Sequence, residues 1–191
     1  MNLAYKNQKT LAECKLLIQE PEFNRAFYGK DLADKSLTIS WNKGASQKIW
    51  IDDIQYDFPE DSILCLMTNQ SFHFMHPENI IAWQFNRDFY CIENHDQEVS
   101  CVGFLFYGSG PMMFIKLNEE EKRKIILLIH IFEEEFSEID DIQEDMLRML
   151  LKRLIIIVTR IAKKQFIDKA LTDSKLDILR QYNLLVEHHI K

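Results

Sequence analysis

The sequence is short of the residues that loosen a chain. Five glycines and four prolines in 191 residues exclude a linker-rich, low-complexity or fibrous protein. Cysteine is scarcer still. Cys14, Cys65, Cys91 and Cys101 form no C-x-x-C pair, and such isolated thiols read as reduced and buried. No window of 18 uncharged apolar residues occurs, and the start, MNLAYKNQKT, has no apolar stretch. Neither a membrane span nor a secretory leader is therefore expected, and the cytoplasm is the expected compartment. Positive charge is also in deficit: the net charge is −7 and the pI is near 5.4. Direct nucleic-acid binding needs a basic face that displaces counterions from phosphates, so these residues are not expected to grip DNA themselves. Finally, no G-x-S-x-G, H-E-x-x-H, P-loop or dinucleotide fingerprint is found, and the sequence offers no catalytic constellation.

What the chain does hold is apolar surface. Hydrophobic residues make up 47% and 13 residues are Phe, enough for a substantial core in one domain, or one domain with an appendage. From about residue 35 to 117 the apolar runs are short and separated by turn residues. LTISW precedes NKGASQ, KIWI precedes DD, IQYDF precedes PED and SILCLM precedes TNQS; FHFM, IIAWQF, FYCIE, VSCVGFLFY and MMFIKL follow. Roughly eight or nine strands at this spacing predict an antiparallel sandwich or barrel. Some runs are apolar at every position, as expected where helices cover the outside.

From residue 118 the period changes to 3.6. Asn118 and Glu121 make an N-capping box, opening a helix with Ile125, Leu128, Phe132 and Phe136 on its core face. Asp141 and Glu144 suggest a second box, with a helix running to about Phe166. A third is predicted from Thr172 or Asp173 through LDILRQYNLLVEHHIK. Its apolar stripe meets no Gly, Asn or Pro stop, so it calls for a partner or a continuation. Before the sheet, Thr10 and Glu13 predict a short helix bearing Leu11, Cys14, Leu17 and Ile18 and ended by Pro21.

The second of these helices has more apolar surface than one contact can cover. Met146, Leu147, Met149, Leu150, Leu151, Leu154, Ile155, Ile156, Ile157, Val158 and Ile161 occupy more than half its circumference, which predicts a second partner. Residues 118–145 hold eleven acidic and three basic side chains, and residues 146–169 hold seven basic and one acidic. Two copies laid antiparallel would set each acidic head beside the other's basic tail. A homodimer through residues 141–166 is therefore expected, with Met146, Leu150, Leu154, Ile157 and Ile161 as interface candidates; the alternative is that one chain satisfies both stripes.

Metal chemistry finds weak purchase. His73 and His76 are three apart in a strand-like run, so they point to opposite faces. In FYCIENHDQEVSC, Cys91, Glu93 and His95 alternate onto one side of a possible hairpin with Cys101 opposite Cys91. Such a set can hold zinc or do redox chemistry, but the reading preferred is a half-buried hairpin with two inert thiols and an exposed loop. No metal or cofactor is expected.

The order of parts resembles the sensor half of AraC-family transcriptional regulators. The stretches ISWNKGASQKIWIDDIQYDFPEDSILCL, WQFNRDFYCIENHDQEVSCVGFLFYG and MLRMLLKRLIIIVTRIAK carry the resemblance, and LDILRQYNLLVEHHIK looks like the first helix of the family's DNA-binding part. The fold implied is mainly β plus α: a cupin-like antiparallel β-barrel, a helical hairpin and a C-terminal helix. On this reading residues 1–34 are an arm with a short helix, 35–117 the barrel, 118–168 the dimerisation hairpin and 172–191 the start of a truncated helix-turn-helix domain. The resemblance implies effector sensing and dimerisation, not catalysis, with DNA contacted only by a domain beyond residue 191. Trp41, Trp83, Phe85 and Tyr90 are the effector-pocket candidates inside the barrel; the effector is an unknown small molecule. Two alternatives remain. One is a metal-dependent cupin-type enzyme using His73, Glu93, His95 and Cys101, although the family's His-x-His pair is missing. The other is a stand-alone small-molecule-binding protein.

Overall fold

Residues 37–42, LTISWN, alternate apolar and polar side chains as a half-exposed strand would, yet all six are buried. Both faces of this strand are covered, and the architecture follows from that. The computed structural model describes residues 1–26, 36–91, 105–106 and 112–166. Among them, ten strands form two antiparallel sheets, followed by two helices.

The six-stranded sheet runs in the order β1 (Asn2–Lys6), β2 (Glu13–Ile18), β9 (Ile80–Phe85), β4 (Leu37–Asn42), β7 (Ser62–Leu66), β10 (Ile115–Lys116). The four-stranded sheet runs β3 (Asn24–Arg25), β8 (Phe72–Phe74), β5 (Gln47–Ile51), β6 (Ile54–Phe58). They pack face to face as a sandwich, and among the described residues they do not close into a barrel. Leu17, Leu64, Leu66, Ile80 and Ala82 of the larger sheet meet Ile49, Ile51, Phe58, Phe72 and Phe74 of the smaller. The turn between β5 and β6 is Asp52-Asp53, both at positive φ (49° and 63°), as a two-residue hairpin requires and aspartate tolerates.

The other face of the larger sheet is covered by the helical hairpin, α1 (Glu119–Ser137) and α2 (Gln143–Phe166). Ile39, Trp41, Ile63, Ile81, Trp83 and Phe85 pack there with Ile125, Phe132, Leu151, Leu154, Ile155 and Val158. The Asn118 box forms as the sequence predicts: Glu121 N–H donates to Asn118 Oδ1 at 2.9 Å, and Asn118 N–H donates to Glu121 Oε2 at 3.0 Å.

Three expectations are corrected. Residues 10–18 form no helix: Leu11 turns at φ 61° and β2 follows, paired in register with β9 from Cys14 opposite Phe85 to Ile18 opposite Ile81. Apolar residues at 14, 16 and 17 suit a strand once a sheet edge is available to pair with. The first residues are thus strands of the sheets, not a separate arm. The expected strand at FYCIE begins as a turn, in which Asn86 Oδ1 accepts from the Phe89 N–H at 2.9 Å. The box expected at Asp141 is replaced too. Asp140 Oδ1 accepts from Ile142 N–H at 3.0 Å, and Glu144 is engaged elsewhere.

The Glu144 carboxylate ties the first strand to the second helix. Its Oε2 accepts from Tyr5 Oη and Asn7 Nδ2, both at 2.7 Å, and it pairs with Arg148 one turn on. Arg148 Nε donates to the Phe89 carbonyl at 2.8 Å, and its guanidinium lies 5.5 Å from the Phe89 ring centre. Two further ties seat the hairpin. Lys122 Nζ meets Asp61 Oδ2 at 2.7 Å, and the Gln165 amide pairs with Lys116 N–H and carbonyl at 3.0 and 2.6 Å.

Burial works to raise the Glu144 pKa, but the bonds from Asn7 and Tyr5 and the Arg148 charge outweigh it and hold the carboxyl below the usual range. A carboxylate lowered in the folded state stabilises above its unfolded pKa and loses that contribution as pH falls through the folded value. Glu144→Gln should cost about 1.5 kcal/mol at pH 7, and the gap to wild type should close below about pH 4; urea unfolding at the two pH values measures both.

Candidate functional site

The four effector-pocket candidates are brought together, but not between the two sheets. Trp41 and Trp83 are 1% and 0% exposed, and with Phe85 and Tyr90 they belong to the cluster facing the helices. On neighbouring strands, Trp41 pairs with Ile81 and Trp83 with Ile39, so the indoles are diagonal neighbours on one face. The Trp83 ring is 6.1 Å from Phe132 of α1, and Tyr90 meets the Phe85 ring edge-on at 6.1 Å. All four thus lie in the layer between the larger sheet and the hairpin. Alternation correctly puts Trp41 and Trp83 on one face, but that face looks at the hairpin.

Between the sheets, apolar side chains of both pack together. The polar groups there, Arg25, Thr38, Ser40, Asn42, Gln47 and Gln84, are all buried. They are bonded chiefly to one another and to backbone carbonyls. Arg25 donates to the Ser36 carbonyl at 2.7 Å and the Met67 carbonyl at 3.0 Å, and stacks 5.1 Å from the Phe72 ring centre. Thr38 Oγ1 accepts from Arg25 and Gln84 at 3.3 and 3.2 Å. Asn42 donates to the carbonyls of Ala45, Phe58 and Pro59 and accepts from Gln47 at 3.1 Å. This seam joins the sheets and specifies their register; sequence reasoning missed it because Thr38, Ser40 and Asn42 look like a solvent face.

Between sheet and hairpin the polar atoms behave differently. Trp41 Nε1, Trp83 Nε1 and Thr159 Oγ1 are buried without a hydrogen-bond partner. Thr159, on α2, is 5% exposed and follows Val158, which belongs to that cluster. Buried donors are nearly always paired, so two indole N–H groups left without a partner on one face of the sheet mark that layer as chemically incomplete. No sequence signal singles out Thr159, which stands between Val158 and Arg160.

The remaining candidates are dispersed. His73 points outward from the smaller sheet, its ring 5.7 Å from Trp50, and His76 pairs with Glu78 at 3.1 Å. Glu93, His95 and Cys101 lie outside the described residues, as does the predicted helix over 172–191. Among the described residues no three His, Cys, Asp or Glu side chains are grouped to hold a metal. Burial pushes the Cys14 and Cys65 thiols far above their usual pKa, so neither is a thiolate at neutral pH. No described helix is long and apolar enough to cross a membrane.

On α2, Leu150, Leu154 and Ile161 are in the protomer's own core, while Met146 is 37% exposed and Ile157 partly buried. Three of the five interface candidates therefore face inward. The surplus stripe exists one step round the helix, at Met146 and Met149 (66% exposed), next to Ile142 in the preceding turn; on α1, Leu127 and Ile131 are exposed as well.

No family model matches the sequence, and no curated protein matches it. Among solved structures, the chain is similar to the AraC-like transcriptional activator CuxR, with a TM-score of 0.43 and 9% identity over 93% of this chain and 58% of that one. It is also similar to ToxT from Vibrio cholerae, with a TM-score of 0.38 and 12% identity over 90% of this chain and 64% of that one. The chain thus spans less than two thirds of either protein.

A threonine hydroxyl left without a partner weakens the fold. Thr159→Val keeps the shape and removes the hydroxyl, and should raise stability by about 1 kcal/mol in urea unfolding; a loss of stability would mean that the hydroxyl is bonded.

Proposed function

We propose that this chain is the effector-sensing and dimerising region of an AraC-type transcriptional regulator, controlling an attached DNA-binding domain. The observation that carries the reading is the division of α2. One side is consumed by the protomer's own core, through Leu147, Leu151, Leu154 and Val158, while Met146 and Met149 remain at the surface beside Ile142. Exposed apolar side chains aligned on a helix favour association. The charges give a direction: Asp140, Asp141, Glu144 and Asp145 lie at one end of α2, and Arg160, Lys163 and Lys164 at the other. An antiparallel pair matches head to tail twice.

Sensing is supported by the layer that holds the hairpin on the sheet. The indoles and Thr159 sit where the dimerising element is seated, so a molecule bound there would act on the packing of α2 directly. It shifts the arrangement only as far as its affinities for two seatings differ. DNA recognition belongs to the attached domain, since a net charge of −7 repels phosphate.

Sedimentation velocity tests the pairing. The wild-type chain should sediment as a dimer at about 50 µM, on the order of the micromolar affinities of modest interfaces. Met149→Glu should give a monomer with an unchanged circular-dichroism spectrum, because its side chain is already in water. Leu154→Glu should unfold the chain instead, placing a charge at a fully buried position. A wild-type monomer at this concentration would remove the dimer.

A further inference from the structure

We propose that the layer between the six-stranded sheet and the helical hairpin binds a small, uncharged, largely apolar molecule bearing carbonyl or ether oxygens, held by the indole N–H groups of Trp41 and Trp83 and the hydroxyl of Thr159. This rests on the sensing role above and names its site and the class of its ligand.

The chemistry follows from the three unpartnered atoms. An indole N–H can only donate, so the group that completes it is an acceptor. Two such donors stand diagonally on β4 and β9, where Trp41 is opposite Ile81 and Trp83 opposite Ile39; diagonal neighbours of this kind are roughly 7–8 Å apart. One molecule with an oxygen or two can serve both. Thr159 is buried on α2 next to Val158 of this cluster, and its hydroxyl can donate or accept.

The surroundings decide the rest. None of the buried residues that make up this cluster is charged. Arg148 stands nearby at Phe89, but its charge is engaged by Glu144 and Asp145. An anionic ligand would lose its water without meeting a cation, which is costly; a neutral acceptor on an apolar body loses little and gains bonds that the protein does not make for itself. The seam between the sheets cannot compete for such a ligand, because Thr38, Ser40, Asn42 and Gln47 already bond within the protein. The ligand would lie against both the sheet and α2, so its binding and the seating of the hairpin are linked.

The test is proton–nitrogen correlation spectroscopy of the whole chain labelled with [15N]tryptophan and, separately, uniformly with 15N. Trp50, on the outer face of the smaller sheet beside His73, is the internal reference. Acetophenone should move the Trp41 and Trp83 indole N–H signals saturably and leave Trp50 in place. Ethylbenzene, close in shape but without the oxygen, should bind about tenfold more weakly, the size of effect expected for one or two hydrogen bonds. Benzoate should not bind, and Thr159→Val should weaken acetophenone binding while the spectrum stays folded. Equal affinity for acetophenone and ethylbenzene, or tight binding of benzoate, overturns the ligand class. Silent indoles with backbone shifts elsewhere overturn the site and leave the sensing role standing. A spectrum silent throughout overturns the site, and the sedimentation result above still judges the dimer independently.

Discussion

The central strands of the larger sheet have no solvent face. β4, β7 and β9 are buried at every position, so each side chain on them must be satisfied by another layer. The smaller sheet supplies one cover and the helical hairpin the other. A sheet covered on both sides cannot choose between polar and apolar by facing water. It must supply partners to its buried polar groups, and it does so unevenly. On the sandwich side, Thr38, Ser40, Asn42 and Gln84 bond to Arg25, Gln47 or nearby carbonyls. On the hairpin side such partners are missing, since Trp41 and Trp83 bury large rings at the cost of their N–H groups.

That asymmetry divides the labour of the fold. The seam between the sheets is a fixed joint, cross-bonded in the interior and filled with phenylalanine rings from Phe58, Phe72 and Phe74. The hairpin is seated by apolar contact and pinned around its rim, through Glu144 to Tyr5 and Asn7, through Lys122 to Asp61 and through Gln165 to Lys116. Rim pins hold a lid in place without stiffening what lies beneath. The regulatory reading gains its physical sense from this arrangement, because the element expected to join two copies is also the more simply attached one.

How much of this the sequence shows depends on what kind of question each residue answers. The change of period at residue 118, the Asn118 box and the Asp52-Asp53 turn are local matters, written in adjacent residues, and the structure has each of them. Which residues share a face is also local: Leu37, Ile39 and Trp41 do. Which layer that face meets is not. With both sides of β4 covered, alternation cannot tell the hairpin from the second sheet, and only the structure puts Trp41 and Trp83 under the hairpin. The same limit applies to α2, whose apolar surface wraps far enough round that only the position of the sheet decides that Leu154 is inside and Met149 outside. For residues 10–18, spacing supported two periods, and the open edge of β9 selected the strand.

The pairing of β2 with β9 also sets the order of events as the chain is made. Leu16 finds its place opposite Trp83, 67 positions later (83 − 16). At about 5–20 residues per second, synthesis leaves that early strand waiting roughly 3–13 seconds for its neighbour. Meanwhile Cys14, Leu16 and Leu17, all interior in the finished molecule, have only the β1 hairpin for shelter. That segment therefore lacks its sheet neighbour until residue 83 has been made.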